Sequence, residues 1–212
     1  MFKELKNMDS QNLKSYVNFD NSNLDDTRVY SSMFFNIAVF LIGGVYINSV
    51  IVRFIAIVLI LACIVSMICF KFKVNKTPKN INLFYACFMS VMAVNLCYNS
   101  CLFFGKTNAG GLIPIVIYLI ALPIIAFSTI KSESKKIING SFVGKTAPPV
   151  ITAVVSAGAM LGISLSRLMQ DKISEEIVFG FGLGFLGIVL GAASRFFVKW
   201  YCHKLLEQRE TE

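Results

Sequence analysis

The strongest constraint on the fold of this chain is a series of apolar stretches, each long enough to cross a lipid bilayer. There are six of them, at about residues 31–48, 50–70, 82–104, 111–130, 148–169 and 176–198. A hydrocarbon core of about 30 Å needs roughly 20 apolar residues in a helix, and backbone groups in lipid have to be hydrogen-bonded within the protein. The sequence therefore predicts an all-α fold, a polytopic membrane protein built as a bundle of six transmembrane helices.

The composition excludes the main soluble classes of protein. Hydrophobic residues make up 56% of the 212 residues and charged residues only 15%, whereas a soluble domain has about 45–50% and about 25%. A soluble globule of this size has too little interior to hide the excess. A soluble enzyme, a disordered chain and a secreted disulfide scaffold are therefore excluded, and the lipid bilayer is the expected partner.

The first two stretches almost run together, so the number of spans depends on a turn between them. We expect a tight turn at Asn48 and Ser49, because one continuous helix would be much longer than the bilayer is thick. Without that turn the chain would cross the membrane five times.

The basic residues indicate how the chain is oriented. Sixteen of the twenty lie in the N-terminal segment, the second-to-third loop, the fourth-to-fifth loop and the C-terminal region. Because Lys and Arg in short loops stay on the cytoplasmic side, we expect a plasma-membrane protein with both termini in the cytoplasm. The strict alternation from loop to loop also favours an even number of spans.

This topology divides the chain into three parts. They are a cytoplasmic N-terminal segment over residues 1–30, a transmembrane domain over 31–198 and a cytoplasmic tail over 199–212. Apolar residues at helical spacing within residues 1–17 predict a helix that lies at the membrane interface. The net charge of +8 is explained by contacts with anionic headgroups, and its spread over several loops predicts no nucleic-acid partner.

The sixth stretch carries the most regular pattern in the sequence, a row of small residues on one helix face. Its glycines are spaced four, three and four residues apart: Gly180, Gly184, Gly187 and Gly191. Gly158 and Gly162 form a looser row in the fifth stretch. Because small residues let helices approach closely in lipid, the fifth and sixth helices either pack on each other, or the glycine face receives a helix of a second copy or of another membrane subunit.

The third stretch is the most polar, and the first stretch also contains polar side chains. The residues concerned are Asn95, Tyr98 and Asn99 in the third stretch, and Asn36, Tyr46 and Asn48 in the first. Polar groups inside a bilayer need partners within the protein. One interpretation is hydrogen bonding between helices, which stabilises a bundle only modestly.

The other interpretation is a binding cavity for a small molecule. In it Asn95, Tyr98 and Asn99 line a cavity that opens outward and binds a neutral or zwitterionic solute. Tyr46 and Asn48 would lie across from them. Basic residues near the outer ends of their stretches, Arg53 and Arg167, would attract an anionic group of the solute.

Residue patterns that support catalysis are missing from the stretches. All twelve acidic residues lie outside the membrane interior, which disfavours proton or sodium coupling and a carboxylate-dependent intramembrane protease. The single histidine, His203, lies in the tail, and the six cysteines form no C-x-x-C pair. We therefore expect no enzyme activity, no cofactor and no metal site.

Two hypotheses on function follow. The first is a transport-related subunit or small permease that binds a small solute within the helix bundle. The second is a non-transporting interaction protein, such as an immunity, assembly or regulatory subunit, that docks a partner through the glycine face of the sixth helix. The first hypothesis rests on the asparagines of the third stretch, and the second rests on the glycines of the sixth stretch.

Overall fold

The structure is a computed structural model, and it describes residues 5–19, 25–46, 49–105, 112–140 and 175–211. Within these ranges all regular structure is helical. The helices are α1 (Ser10–Phe19), α2 (Asp26–Tyr46), α3 (Val50–Phe72), α4 (Pro78–Gly105), α5 (Leu112–Ile138), α6 (Glu175–Leu190) and α7 (Arg195–Thr211), with a 3₁₀ turn at Gly191–Ser194.

Five helical units in the described part of the chain are long and apolar enough to cross a membrane. They are α2, α3, α4, α5 and the continuous unit formed by α6 and α7. Each overlaps one of the apolar stretches, so the prediction of an all-α membrane bundle is confirmed. The stretch at 148–169 lies outside the described residues, and the sixth span stays a prediction.

The first two stretches form two helices rather than one. α2 ends at Tyr46 and α3 begins at Val50, and the two helices pack against each other. They approach closely where a Cβ atom on Gly44 would lie 3.1 Å from the Ala56 Cβ. The two stretches therefore form separate helices, while the expected tight turn at Asn48 and Ser49 stays a prediction because residues 47–48 lie outside the described part.

Several helices extend beyond the apolar stretches at their polar ends. α2 begins at Asp26, and the preceding Asp25 carboxylate accepts a hydrogen bond of 3.2 Å from the Arg28 N–H. α5 continues to Ile138, past the end of its stretch at residue 130. Hydropathy reports where a helix leaves lipid, whereas caps and propensity decide where the helix itself ends. These helices can therefore be longer than the apolar stretches that they contain.

α4 lies at the centre of the bundle and contacts α2, α5, α6 and α7. α3 lies at the periphery, where its main neighbour is α2. The outward face of α3 carries a row of exposed apolar side chains, which includes Leu61, Val65, Ile68 and Phe72. In a membrane such side chains contact acyl chains, so their exposure requires no protein partner.

The sixth stretch is interrupted near its C-terminal end. The 3₁₀ turn Gly191–Ser194 separates α6 from α7 and packs against α5, a helix that contains Pro123. The Ser194 hydroxyl donates a hydrogen bond of 3.3 Å to the Ala126 carbonyl. A proline removes a helical hydrogen bond, and a 3₁₀ turn is wound more tightly than an α-helix. The contact therefore brings together a part of each helix whose geometry is irregular.

The N- and C-terminal helices form a small packed unit, which we call the cap. It consists of residues 5–9, α1, α7 and the C-terminal end of α5. Its buried core contains Leu5, Leu13, Tyr16, Val17, Ile137, Val198, Cys202, Leu205 and Leu206. Arg209 donates hydrogen bonds from Nη1 to the Ser10 hydroxyl (2.8 Å) and from Nη2 to the Lys6 carbonyl (2.6 Å), so the cap also has a polar anchor.

Tyr16 links α1 to α5 inside the cap. Its hydroxyl donates a hydrogen bond of 3.2 Å to Glu133 Oε2. Burial and the neighbouring Glu133 carboxylate raise the pKa of Tyr16 above its ordinary value, so the phenol keeps the proton that it donates.

The cap gives both terminal helices a partner within the chain. The apolar face of α1 is buried against α5 and α7, and its place relative to the membrane interface stays a prediction. Residues 199–211 are helical and belong to α7, whose Cys202, Leu205 and Leu206 are buried in the cap. The spacing within residues 1–17 predicts one apolar face, but spacing alone does not say whether lipid or protein covers that face.

Ion pairs bring together the segments that carry the excess of basic residues. The pairs are Lys14–Glu210, Lys76–Asp26 and Lys79–Glu207. They connect α1 to α7, the loop after α3 to α2, and α4 to α7. These segments therefore share one end of the bundle, which we call the basic end.

Leu13→Ala tests whether α1 covers α7 in the folded protein. Leu13 is fully buried in the same cluster as Cys202. We expect the substitution to weaken the docking of α1 by about 3 kcal/mol, within the usual cost of removing a buried leucine side chain. In a variant that keeps Cys202 as its only cysteine, maleimide labelling should then become roughly 100-fold faster, since each 1.4 kcal/mol is a factor of about ten.

The matched control for this experiment is Asn12→Ala, because Asn12 is exposed on the same helix. It should leave the labelling rate unchanged. If Leu13→Ala labels no faster than this control, α1 does not cover Cys202.

Candidate functional site

The polar residues predicted in the third stretch face α2 from the middle of α4. Asn95 Nδ2 donates a hydrogen bond of 3.3 Å to the carbonyl of Asn36. Asn99 Nδ2 lies 3.4 Å from the Val39 carbonyl and 2.9 Å from both the carbonyl and the Oδ1 of Asn95. Both asparagines are almost completely buried, because their spacing of four residues places them on the side of α4 that packs against α2.

Asn36 is the residue of α2 that meets them. Its side chain is 0% exposed, and Nδ2 donates hydrogen bonds of 2.9 Å to the Ser32 carbonyl on its own helix and to the Phe88 carbonyl of α4. Asn36, Asn95 and Asn99 therefore form one buried polar contact between two membrane helices, which we call the asparagine seam.

Two amide oxygens of the asparagine seam have no donor. Asn36 Oδ1 and Asn99 Oδ1 are buried, and no hydrogen-bond partner in the described part of the chain reaches either atom. In each side chain Nδ2 faces at least two carbonyl oxygens, which fixes the orientation of the amide. A buried acceptor without a donor destabilises the folded protein by about 1–3 kcal/mol. These two oxygens are therefore the atoms of the seam that would gain most from a donor.

Gly43 allows the seam to close over Asn99. A Cβ atom on Gly43 would lie 2.1 Å from Asn99 Oδ1 and 3.1 Å from its Cγ. Any side chain at this position would therefore occupy the space of the amide group. The absence of a side chain lets the backbone of α2 approach α4 as closely as the hydrogen bonds require.

The remaining residues of the predicted solute site are not all described. Tyr98 is half-buried on α4, and Arg53 is exposed in the first turn of α3. The side chain of Tyr46 and the whole of Asn48 and Arg167 lie outside the described part of the chain. The structure thus brings Asn95 and Asn99 together, and it adds Asn36 of α2 across from them.

The glycine face of α6 packs against α4 and α5 within the same chain. A Cβ atom would lie 3.2 Å from the Phe104 ring at Gly180, 1.8 Å from the Tyr118 hydroxyl at Gly184 and 2.6 Å from Cys97 Sγ at Gly187. At Gly191 the nearest atoms belong to Ile125 and Leu122 of α5, at 3.5 Å. Gly158 and Gly162, the expected partners in the fifth stretch, lie outside the described residues.

In the described part of the chain the central members of the glycine row touch α4, which contains the third stretch, and a contact with the fifth stretch stays a prediction. Their spacing predicts a close contact with some helix. It does not identify that helix, since any helix with small residues at matching heights fits. On α4 the matching positions are Ala93 and Cys97, one turn apart.

A second polar cluster joins α4, α5 and α6 and was not predicted. Ser100 Oγ donates a hydrogen bond of 2.6 Å to the Gly180 carbonyl and lies 2.7 Å from the Tyr118 hydroxyl. Because Ser100 has one proton and gives it to Gly180, the Tyr118 hydroxyl donates to Ser100. The sequence signal is weak: one tyrosine within an aliphatic stretch, and one serine next to the predicted Asn99.

The chemistry available in these clusters is that of neutral amides and hydroxyls. Among the residues that the structure describes, no three His, Cys, Asp or Glu side chains gather as metal ligands would. Asparagine amides bind by donating and accepting hydrogen bonds and do not change their charge. Compared with known proteins, the chain matches no protein-family model, no curated protein and no solved structure.

Proposed function

We propose that this membrane protein binds a small solute inside its helix bundle, as a transport-related subunit or small permease of the plasma membrane. The observation that carries the proposal is the pair of buried amide oxygens on Asn36 and Asn99 that lack a donor. A polar solute that donates to both oxygens would remove a cost of about 1–3 kcal/mol at each. Intramembrane polar groups of this kind commonly mark the path of a substrate.

The chemistry of the seam favours a neutral or zwitterionic solute. Amide oxygens accept hydrogen bonds from N–H and O–H groups, so amino, amide or hydroxyl groups of the solute would bind there. All twelve acidic residues of the sequence lie outside the membrane interior, which makes a solute of net positive charge costly to bind. The proposed role is binding and passage without catalysis, cofactor or metal, and the energy would come from a partner subunit or a gradient.

The proposed orientation places the basic end in the cytoplasm. The fourth-to-fifth loop and the segments joined at the basic end carry most of the lysines and arginines of the chain, and such residues stay on the cytoplasmic side in short loops. Both termini would then be cytoplasmic, and the ends of α2 and α4 near Gly43 and Asn99 would face the outside.

Ligand-dependent thermal unfolding tests the proposed function. The purified full-length protein in mild detergent is heated with a panel of free amino acids, sugars and polyols. We expect at least one compound to raise the unfolding temperature, because a ligand at 100 times its Kd adds about 2.7 kcal/mol. Asn36→Leu and Asn99→Leu should remain folded and lose this shift.

Asn82→Leu is the matched control, since Asn82 is a buried asparagine of α4 whose Nδ2 donates to Pro78 of its own helix and not to α2. It should keep the shift. The proposal fails if no compound stabilises the wild-type protein, or if the shift survives in both seam variants.

The second hypothesis, docking of a partner through the glycine face, has less support. Atoms of α4 and α5 occupy the space next to Gly180, Gly184 and Gly187. A partner helix could therefore reach these glycines only by displacing α4 and α5. An immunity, assembly or regulatory role would therefore need another surface.

A further inference from the structure

The apolar stripes on the outer helices end in lysines at the basic end. On α5 the exposed residues Ile120, Ile124 and Phe127 are followed on the same helix face by Lys131 and Lys135, which are also exposed. Since residues three or four apart lie above one another on a helix, these two lysines continue the surface that contacts lipid tails. Their ammonium groups therefore lie where the hydrocarbon ends.

α3 ends in the same way. Its outward stripe reaches Phe72, which is 74% exposed, and Lys71 and Lys73 flank that residue. Lys71 Nζ lies 5.3 Å from the centre of the Phe72 ring. An aromatic ring with a cation beside it is typical of the interface, where the ring meets the acyl chains and the charge meets the headgroups.

These four lysines differ from four other lysines at the basic end in their partners. Lys14, Lys76, Lys79 and Lys136 are paired with carboxylates of this chain. For Lys71, Lys73, Lys131 and Lys135 the described part of the chain contains no ion pair. The acidic residues near the basic end thus pair with one set of partly exposed lysines and leave Lys71, Lys73, Lys131 and Lys135 without a carboxylate partner in the described part of the chain.

We propose that Lys71, Lys73, Lys131 and Lys135 form a binding surface for anionic phospholipids. Each headgroup phosphate would accept hydrogen bonds from an ammonium group while its acyl chains lie along the apolar stripes of α3 and α5. The site distinguishes anionic from zwitterionic lipids because a phosphocholine headgroup carries its own cation next to the phosphate. This inference concerns the lipid-facing surface and does not depend on the proposed solute site.

The experiment is lipid retention in nanodiscs of equal parts phosphatidylglycerol and phosphatidylcholine. The full-length protein is released into mild detergent, and its bound lipids are counted by native mass spectrometry. We expect phosphatidylglycerol to be enriched roughly tenfold in the wild-type protein, since several lysines act together near the headgroups. Replacing the four outer lysines by glutamine should reduce the ratio to about one, and raising the salt concentration should reduce it in the wild-type protein.

The control removes the same amount of charge from the same end of the bundle. It replaces the four paired lysines, Lys14, Lys76, Lys79 and Lys136, by glutamine and should keep most of the enrichment. A ratio near one in the wild-type protein overturns the proposal, as does an equal loss in both quadruple variants. If the variant without the four outer lysines fails to fold, the double variant Lys131→Gln and Lys135→Gln must reduce the enrichment by itself. An unchanged lipid ratio in this double variant also overturns the proposal.

Discussion

Gly187→Ala is expected to lower the free energy of unfolding by about 3 kcal/mol, the upper end of the usual cost of overpacking. The added Cβ would lie 2.7 Å from the Ala93 carbonyl oxygen and 2.6 Å from Cys97 Sγ. The thiol can rotate away, but the carbonyl belongs to the backbone of α4. One methyl group therefore has to push two helices apart along their contact, and the loss is measured by unfolding in mixed detergent.

The matched control for this prediction lies on the same helix. A Cβ atom on Gly182 would meet nothing within 4 Å in the structure. Gly182→Ala should therefore leave stability unchanged or raise it by up to about 1 kcal/mol, the difference in helix propensity between the two residues. If the two variants unfold alike, α6 does not present the glycine row to α4.

The apolar stretches predicted most of the fold because lipid imposes one strong rule. A segment that crosses hydrocarbon has to be apolar and helical, so α2, α3, α4, α5 and the α6–α7 unit could all be located in advance. Docking of the terminal helices could not be predicted in this way. The apolar residues of α1, such as Leu13, fit a lipid surface and a protein surface equally well.

The candidate site was predictable in part for a similar reason. Asn95 and Asn99 stand out because polar residues inside a membrane need partners. Their actual partner on α2 depends on the relative height of two helices, and that height is set by Gly43 and its close approach to α4. Across from them the structure places Asn36, while the Tyr46 side chain and Asn48, which were predicted there, lie outside the described part of the chain.

Asn36, Asn95 and Asn99 combine a contact between two helices with unsatisfied amide oxygens. Their amide nitrogens donate hydrogen bonds that hold α2 on α4, whereas the oxygens of Asn36 and Asn99 are left without donors. Asn82 Oδ1 is also buried without a donor, but the Asn82 amide donates to Pro78 of its own helix, so the seam is distinguished from it by placing two such oxygens in the contact between two helices. The distinction matters for experiments, because substitutions in the seam affect stability through the nitrogens and solute binding through the oxygens.

A double-mutant cycle between Gly43 and Asn99 separates these effects. Gly43→Ala alone should destabilise the protein by about 3 kcal/mol, because overpacking would force the Asn99 amide out of its hydrogen bonds. Asn99→Ala alone should cost about 1–2 kcal/mol, the range for hydrogen bonds between membrane helices. With both changes the new methyl group occupies the space that the amide leaves. The double variant should therefore lose about 2 kcal/mol less unfolding free energy than the two single variants lose together.

Gly44→Ala provides the comparison cycle, because a Cβ atom on Gly44 faces Ala56 of α3 and not Asn99. Its effect should add to that of Asn99→Ala within about 0.5 kcal/mol, as expected for groups that share no partner. If the Gly43 cycle is additive as well, Asn99 does not lie over Gly43. In that case α2 and α4 are set at a different height, and the two unpartnered oxygens lose the burial on which the solute site depends.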